Sequence, residues 1–171
     1  SNGITKSRYY IDRFSIAQLN LSKNVSSILV DNQSGDNNGF LDYSRNVIIN
    51  LPKQSPNFRI TVYPSPYQYV EPRPAPIYYQ VWIDYDHNGI FESMDALGLN
   101  EQIITNGVST GSISRDIVIP NAAIEGITRM RVSMKYEKSP NPCDVNNSRL
   151  SPFTGEVEDY EVNISPKPLV Y

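Results

Sequence analysis

Apolar and polar side chains alternate with a period of two along three separate stretches of this chain. Phe58, Ile60 and Val62 alternate with Arg59, Thr61 and Tyr63; Ile77, Tyr79, Val81 and Ile83 with Tyr78, Gln80, Trp82 and Asp84; Met130, Val132, Met134 and Tyr136 with Arg129, Arg131, Ser133 and Lys135. Successive side chains of a strand point to opposite faces, so each stretch has one face to bury against something else. Shorter segments of the same kind run from Arg13 to Leu21, Asn46 to Leu51, Gln102 to Thr105, Ser112 to Ile119 and Tyr160 to Ile164. With turn-rich segments between them, they predict an all-β chain: a two-sheet sandwich, jelly-roll-like and mostly antiparallel. The twelve Tyr and thirteen Pro agree with strands and stiff loops. One helical turn is expected, Asn121 to Glu125, opened by Pro120 and stopped by Gly126, too short to shape the architecture.

At 171 residues the chain is long enough to bury a core without disulfides or metals. The expected division is a flexible N-terminal segment (1–8), one domain (9–165) and a tail (166–171). A net charge of -3 argues against nucleic acid as a partner. No run approaches ~18 apolar residues, so no membrane insertion is expected. One Cys and one His exclude Cys-rich zinc sites and an internal disulfide framework.

Two local patterns carry chemistry. Asp84-Tyr85-Asp86-His87-Asn88-Gly89-Ile90-Phe91-Glu92 places oxygen side chains at alternate positions of a tight loop. A calcium ion needs six to eight oxygens, and Asp84, Asp86, Asn88, the Ile90 carbonyl and Glu92 can converge on one point. The competing reading is a plain hairpin turning at Asn88-Gly89. The second pattern, Gly155-Glu156-Val157-Glu158-Asp159-Tyr160, sets three carboxylates within four residues. They repel one another unless Arg129, Arg131 or a cation sits among them, so Glu158 and Asp159 are candidate further ligands of the same calcium.

Gly155 to Tyr160 followed by Val162-Asn163-Ile164 resembles the signature of the GEVED domain family. Three further pieces fall in the family's order. They are Gly39-Phe40-Leu41-Asp42-Tyr43, Val81-Trp82-Ile83-Asp84-Tyr85-Asp86 through Gly89 and Phe91, and Ile119-Pro120 with Gly126-Ile127-Thr128-Arg129-Met130-Arg131-Val132. The chain departs from the pattern after Phe91: relatives carry a Gly-Glu soon after that position, to which Glu101 corresponds only loosely. The resemblance implies a β-sandwich module of exported, multidomain proteins of Bacteroidetes-type bacteria, secreted or held at the cell surface, beside proteases or adhesion modules. It implies no catalysis by the module itself.

The expected function is therefore structural or adhesive, calcium-stabilised and non-catalytic, with neighbouring domains, a glycan or a cell-surface protein as partners. The alternative is a carbohydrate-binding module accessory to an enzyme domain. Its candidate ligand surface is Tyr63, Tyr67, Tyr69, Tyr78 and Tyr79, in or beside a segment stiffened by Pro64, Pro66, Pro72, Pro74 and Pro76. The bland reading of those rings is local packing. Hydrolase signatures are missing; a Cys143–His87 pair or a Glu92–Glu158 carboxylate pair are the enzyme alternatives that the composition leaves.

Overall fold

Among the described residues, ten strands pair into two sheets that face each other across an apolar core. The computed structural model describes residues 10–35, 40–54, 56–65, 76–109, 111–136, 138–143 and 155–169. In chain order the strands are β1 (Ile11–Leu19), β2 (Val25–Asn32), β3 (Phe40–Asp42), β4 (Ile48–Pro52), β5 (Asn57–Pro64), β6 (Ile77–Ile83), β7 (Gln102–Ser109), β8 (Ile113–Ile117), β9 (Gly126–Tyr136) and β10 (Gly155–Ser165). One sheet has the order β2-β1-β5-β8. The other has the order β3-β10-β9-β6-β7, with β4 also paired to β10. Pairing is antiparallel except where β3 and β4 run parallel to β10. The all-β sandwich expected from the alternation is the fold observed, and Asn121 to Ala123 form turns and a bend rather than a helix.

The core sits where the alternation places it. Phe14, Ile16, Ile60 and Val62 from the first sheet meet Tyr79, Val81, Ile83, Met130, Val132 and Tyr160 from the second. The Phe14 and Tyr160 rings, 4.7 Å apart, mark the contact between the sheets. The outer face of the second sheet is covered in part as well. Trp82 points outward yet is fully buried, with Phe91 of the following loop 6.0 Å away. Around Gly155 to Tyr160 both faces of the sheet are therefore covered and all six residues are buried, while Ile127 and Arg129 at the start of β9 stay exposed on the outer face.

Burial obliges each carboxylate of β10 to find a partner. Glu156 accepts the Ile11 amide of β1 at 2.7 Å, tying the two sheets together. Asp159 faces the other way and accepts both Nε and Nη2 of Arg131, each at 2.7 Å. The third donor of that guanidinium, Nη1, reaches the Pro142 carbonyl at 2.6 Å. A run that looks like a charged strand end is the centre of a sheet.

Two substitutions test this packing. A Cβ at position 155 would run into the Met134 carbonyl oxygen and lie 3.0 Å from Lys135 Cα, backbone that cannot move aside. Gly155→Ala should cost ~1–3 kcal/mol. Asp159→Ala leaves Arg131, whose side chain is 11% exposed, without its counter-charge and should cost roughly 3 kcal/mol. Urea unfolding of both variants measures this; parent-like midpoints would refute the packing argument.

Candidate metal centre

The acidic loop hangs from the last residue of the β6 ladder. The Asp84 amide donates to the Arg129 carbonyl at 3.1 Å, and the Thr128 hydroxyl donates to the Asp84 carbonyl at 2.8 Å. Buried Tyr85 follows, its carbonyl accepting the Ile124 amide at 2.9 Å. The sheet thus aims Asp84 before the loop begins to turn.

Within the turn, carboxylates collect backbone donors. Asp84 Oδ1 accepts the Asn88 amide at 3.2 Å and Oδ2 the Gly89 amide at 2.9 Å. Asp86 Oδ1 accepts the same Asn88 amide at 3.1 Å. Asn88 Nδ2 donates to Asp86 Oδ2 at 3.1 Å and to Glu92 Oε2 at 3.0 Å, while Asn88 Oδ1 accepts the Ile90 amide at 2.7 Å. Gly89 sits at φ +82°, the left-handed conformation glycine adopts freely. Asn88 and Gly89 bend the chain within the long connection from β6 to β7 and do not form the two-residue turn of a plain hairpin.

Glu101, just ahead of β7, closes the arrangement from the far side. It is fully buried; Oε1 accepts the Tyr85 amide at 2.6 Å and Oε2 the Glu92 amide at 2.9 Å. Desolvation pushes its carboxyl above the usual range, against the pull of those amides. One oxygen from each of Asp84, Asp86 and Glu101 lies within 4.8 Å of the others. Oxygens on a calcium sphere at 2.3–2.6 Å are separated by at most about 5 Å, so this spacing fits a single shell. Asp95, the twelfth residue from Asp84, is 94% buried by its 6% exposure. Its Oδ1 accepts the Leu97 and Leu99 amides at 2.8 and 2.7 Å, while its Oδ2 is buried without a hydrogen-bond partner among the described residues.

The structure brings Asp84, Asp86, Asn88 and Glu92 together and leaves the Ile90 side chain in solvent. It does not bring in Glu158 or Asp159. Asp159 is held by Arg131, and Glu158 faces the core, its Oε2 accepting the Tyr160 hydroxyl at 2.7 Å. That hydroxyl in turn accepts Asn32 Nδ2 at 2.9 Å. Among the tyrosines, Tyr79 is fully buried and donates to the Gly111 carbonyl at 2.9 Å. Tyr63 is half-buried with the Arg13 guanidinium 5.1 Å from its ring centre, and Tyr78 is half-buried on β6. Tyr67 and Tyr69 lie outside the described residues. Cys143 is exposed, one residue beyond the carbonyl that Arg131 holds.

Glu101 is the residue that spacing alone misses. It reaches the loop across the opening of β7, seventeen positions from Asp84, so no local periodicity reports it. The available signal was a lone carboxylate directly preceding an apolar strand, where burial forces a polar role.

The fold and the loop define a β-sandwich carrying an acidic turn on the covered face of its larger sheet. The family model described as the GEVED domain matches residues 78–163, which contain the loop, Glu101 and most of β10. The chain belongs to the GEVED domain family. No curated protein matches it.

Glu158 makes a pH prediction. Burial pushes its carboxyl from the usual 4.5 up to about 7, so the folded state holds a proton that the unfolded chain releases. Its contribution is fully present below about pH 4.5 and is lost as pH rises to about 7, an effect of ~3 kcal/mol. Glu158→Gln keeps the uncharged shape and should flatten that part of the profile, gaining on the parent at pH 8. Parallel stability profiles for parent and variant between pH 4 and 8 would refute this.

Proposed function

We propose that this domain is a non-catalytic structural module in which a calcium ion, held by the loop after β6, fixes one outer face of the sandwich. The observation that carries the reading is the convergence of Asp84, Asp86 and Glu101 oxygens within 4.8 Å. Among the described residues no Lys or Arg pairs with any of the three. The donor set supports a hard cation: carboxylates and an amide, with the Ile90 carbonyl within the same loop, and no thiol or imidazole needed. The unpaired Asp95 Oδ2 adds a buried acceptor to the same loop. Asp84, Asp86, Glu101, Asn88 and Glu92 would hold the ion, whose charge would offset their mutual repulsion.

The non-catalytic part of the reading is supported by where the other candidate groups lie. Glu158 is buried toward the opposite sheet while Glu92 belongs to the outer loop, so the two do not face one cleft. The exported setting and a role beside neighbouring domains are what the family resemblance implies.

Calcium binds a site that exists only in the folded chain, so it should stabilise by mass action, about 2.7 kcal/mol at a hundred times Kd. Calorimetric titration of chelator-treated protein, with melting curves, measures this. Asp84→Asn and Glu101→Gln should abolish both the heat and the melting shift. No heat and no shift at millimolar calcium in the parent would overturn the proposal.

A further inference from the structure

Beside the acidic loop, on the outer face of the second sheet, lies a cleft of about 390 Å³. Thr128 and Arg129 of β9 and Glu161 of β10 contribute to its lining; His87, Gly89 and Phe91 come from the loop, and Ser44 from the turn after β3. The volume falls in the range of small-molecule sites. An unpartnered ring nitrogen, an uncommon backbone conformation and an exposed guanidinium mark it. His87 Nε2 is buried and makes no hydrogen bond among the described residues. Such an atom costs stability unless something pairs with it. The His87 backbone is held at φ +60°, uncommon for a residue other than glycine, with its ring packed over Gly126. Arg129 is more than half exposed, and its one ion pair among the described residues is a 3.9 Å contact with Asp159, whose oxygens Arg131 already occupies.

We propose that this cleft binds a neutral carbohydrate, the end of an oligosaccharide chain. The charge pattern selects the class. Arg129 and Glu161 are cross-strand neighbours, so an anion drawn to the guanidinium meets a carboxylate, and a cation drawn to Glu161 meets the guanidinium. Sugar hydroxyls both donate and accept, and so satisfy Arg129, Glu161, the His87 ring nitrogen and the Ser44 hydroxyl together. Phe91 and Ile127 supply the apolar wall that sugar C–H groups need. Nucleic acid is disfavoured by Glu161 and Asp84 in the lining and by the chain's net charge of -3. The lining does not include Tyr63, Tyr78 or Tyr79, and the site rests on the described sheet and loop, not on a bound cation.

The test is an array of neutral and acidic oligosaccharides probed with the purified domain in calcium-containing buffer. A calorimetric titration of the best hit follows, using parent, Arg129→Ala, Glu161→Gln and His87→Asn. Asparagine tolerates positive φ, so the last variant removes the imidazole without forcing the backbone. A neutral glycan whose affinity falls about tenfold in each variant, with melting temperatures near the parent's, is the expected result. No glycan bound, affinity insensitive to Arg129 and Glu161, or preference for acidic sugars would each overturn it.

Discussion

The bidentate pair between Arg131 and Asp159 sets the conditions for the rest of the structure. It joins β9 to β10 on the face that would otherwise be wet, and a guanidinium–carboxylate fork satisfies two donors and two acceptors in one plane. Removing either charge from water is costly, and the pair is tolerated because Nη1 is also satisfied, by the Pro142 carbonyl. The same guanidinium lies 5.7 Å from the Phe91 ring centre. One side chain therefore anchors the strand pair, the turn at Pro142 and the far end of the acidic loop.

That anchoring explains the order of residues in the Gly155–Tyr160 run. A strand buried on both faces alternates two different environments. Gly155 leaves room for the Met134 carbonyl; Glu156, Glu158 and Tyr160 face the opposite sheet; Asp159 faces Arg131. Each acidic residue meets a polar group: Glu156 the Ile11 amide of β1, Glu158 the Tyr160 hydroxyl of its own strand that Asn32 of β2 also reaches, and Asp159 the Arg131 fork of β9. The run looked self-repelling because sequence lists neighbours along the strand. In the fold, Glu158 and Asp159 point to opposite sides of the sheet, and no shared cation is needed to separate them.

Much of the architecture was readable because burial acts residue by residue along a strand. The alternations at Phe58–Tyr63, Ile77–Asp84 and Arg129–Tyr136 became β5, β6 and β9 with the expected faces inward. Two strands gave no such signal. β2 is an edge strand whose first four residues are all exposed, Val25 and Ile28 among them, so no face selects apolar residues. β3 is three residues long and owes its conformation to parallel pairing with Val157, Glu158 and Asp159. The candidate site was legible where it is local, from Asp84 to Glu92. Glu101 was not, because it is brought in by the β6–β7 pairing, and neither was the outer-face burial of Trp82, which depends on the loop folding back.

The loop and the sheet share a constraint that runs in both directions. Asp84 is positioned by β9 through the Arg129 carbonyl and Thr128 hydroxyl, while Phe91 and Glu92 return over Trp82 and meet Glu101. Without a neutralising charge, the loop keeps Asp84, Asp86, Glu92, Asp95 and Glu101 near one another by spending backbone amides and the Asn88 side chain on them. Those amides pre-organise the carboxylates, so ordering costs are met during folding rather than at binding. Any charge change in the loop is consequently felt at the cover over Trp82, and through Phe91 at Arg131. The acidic turn and the carboxylate-rich strand, sixty or more residues apart in sequence, are two ends of one packed network.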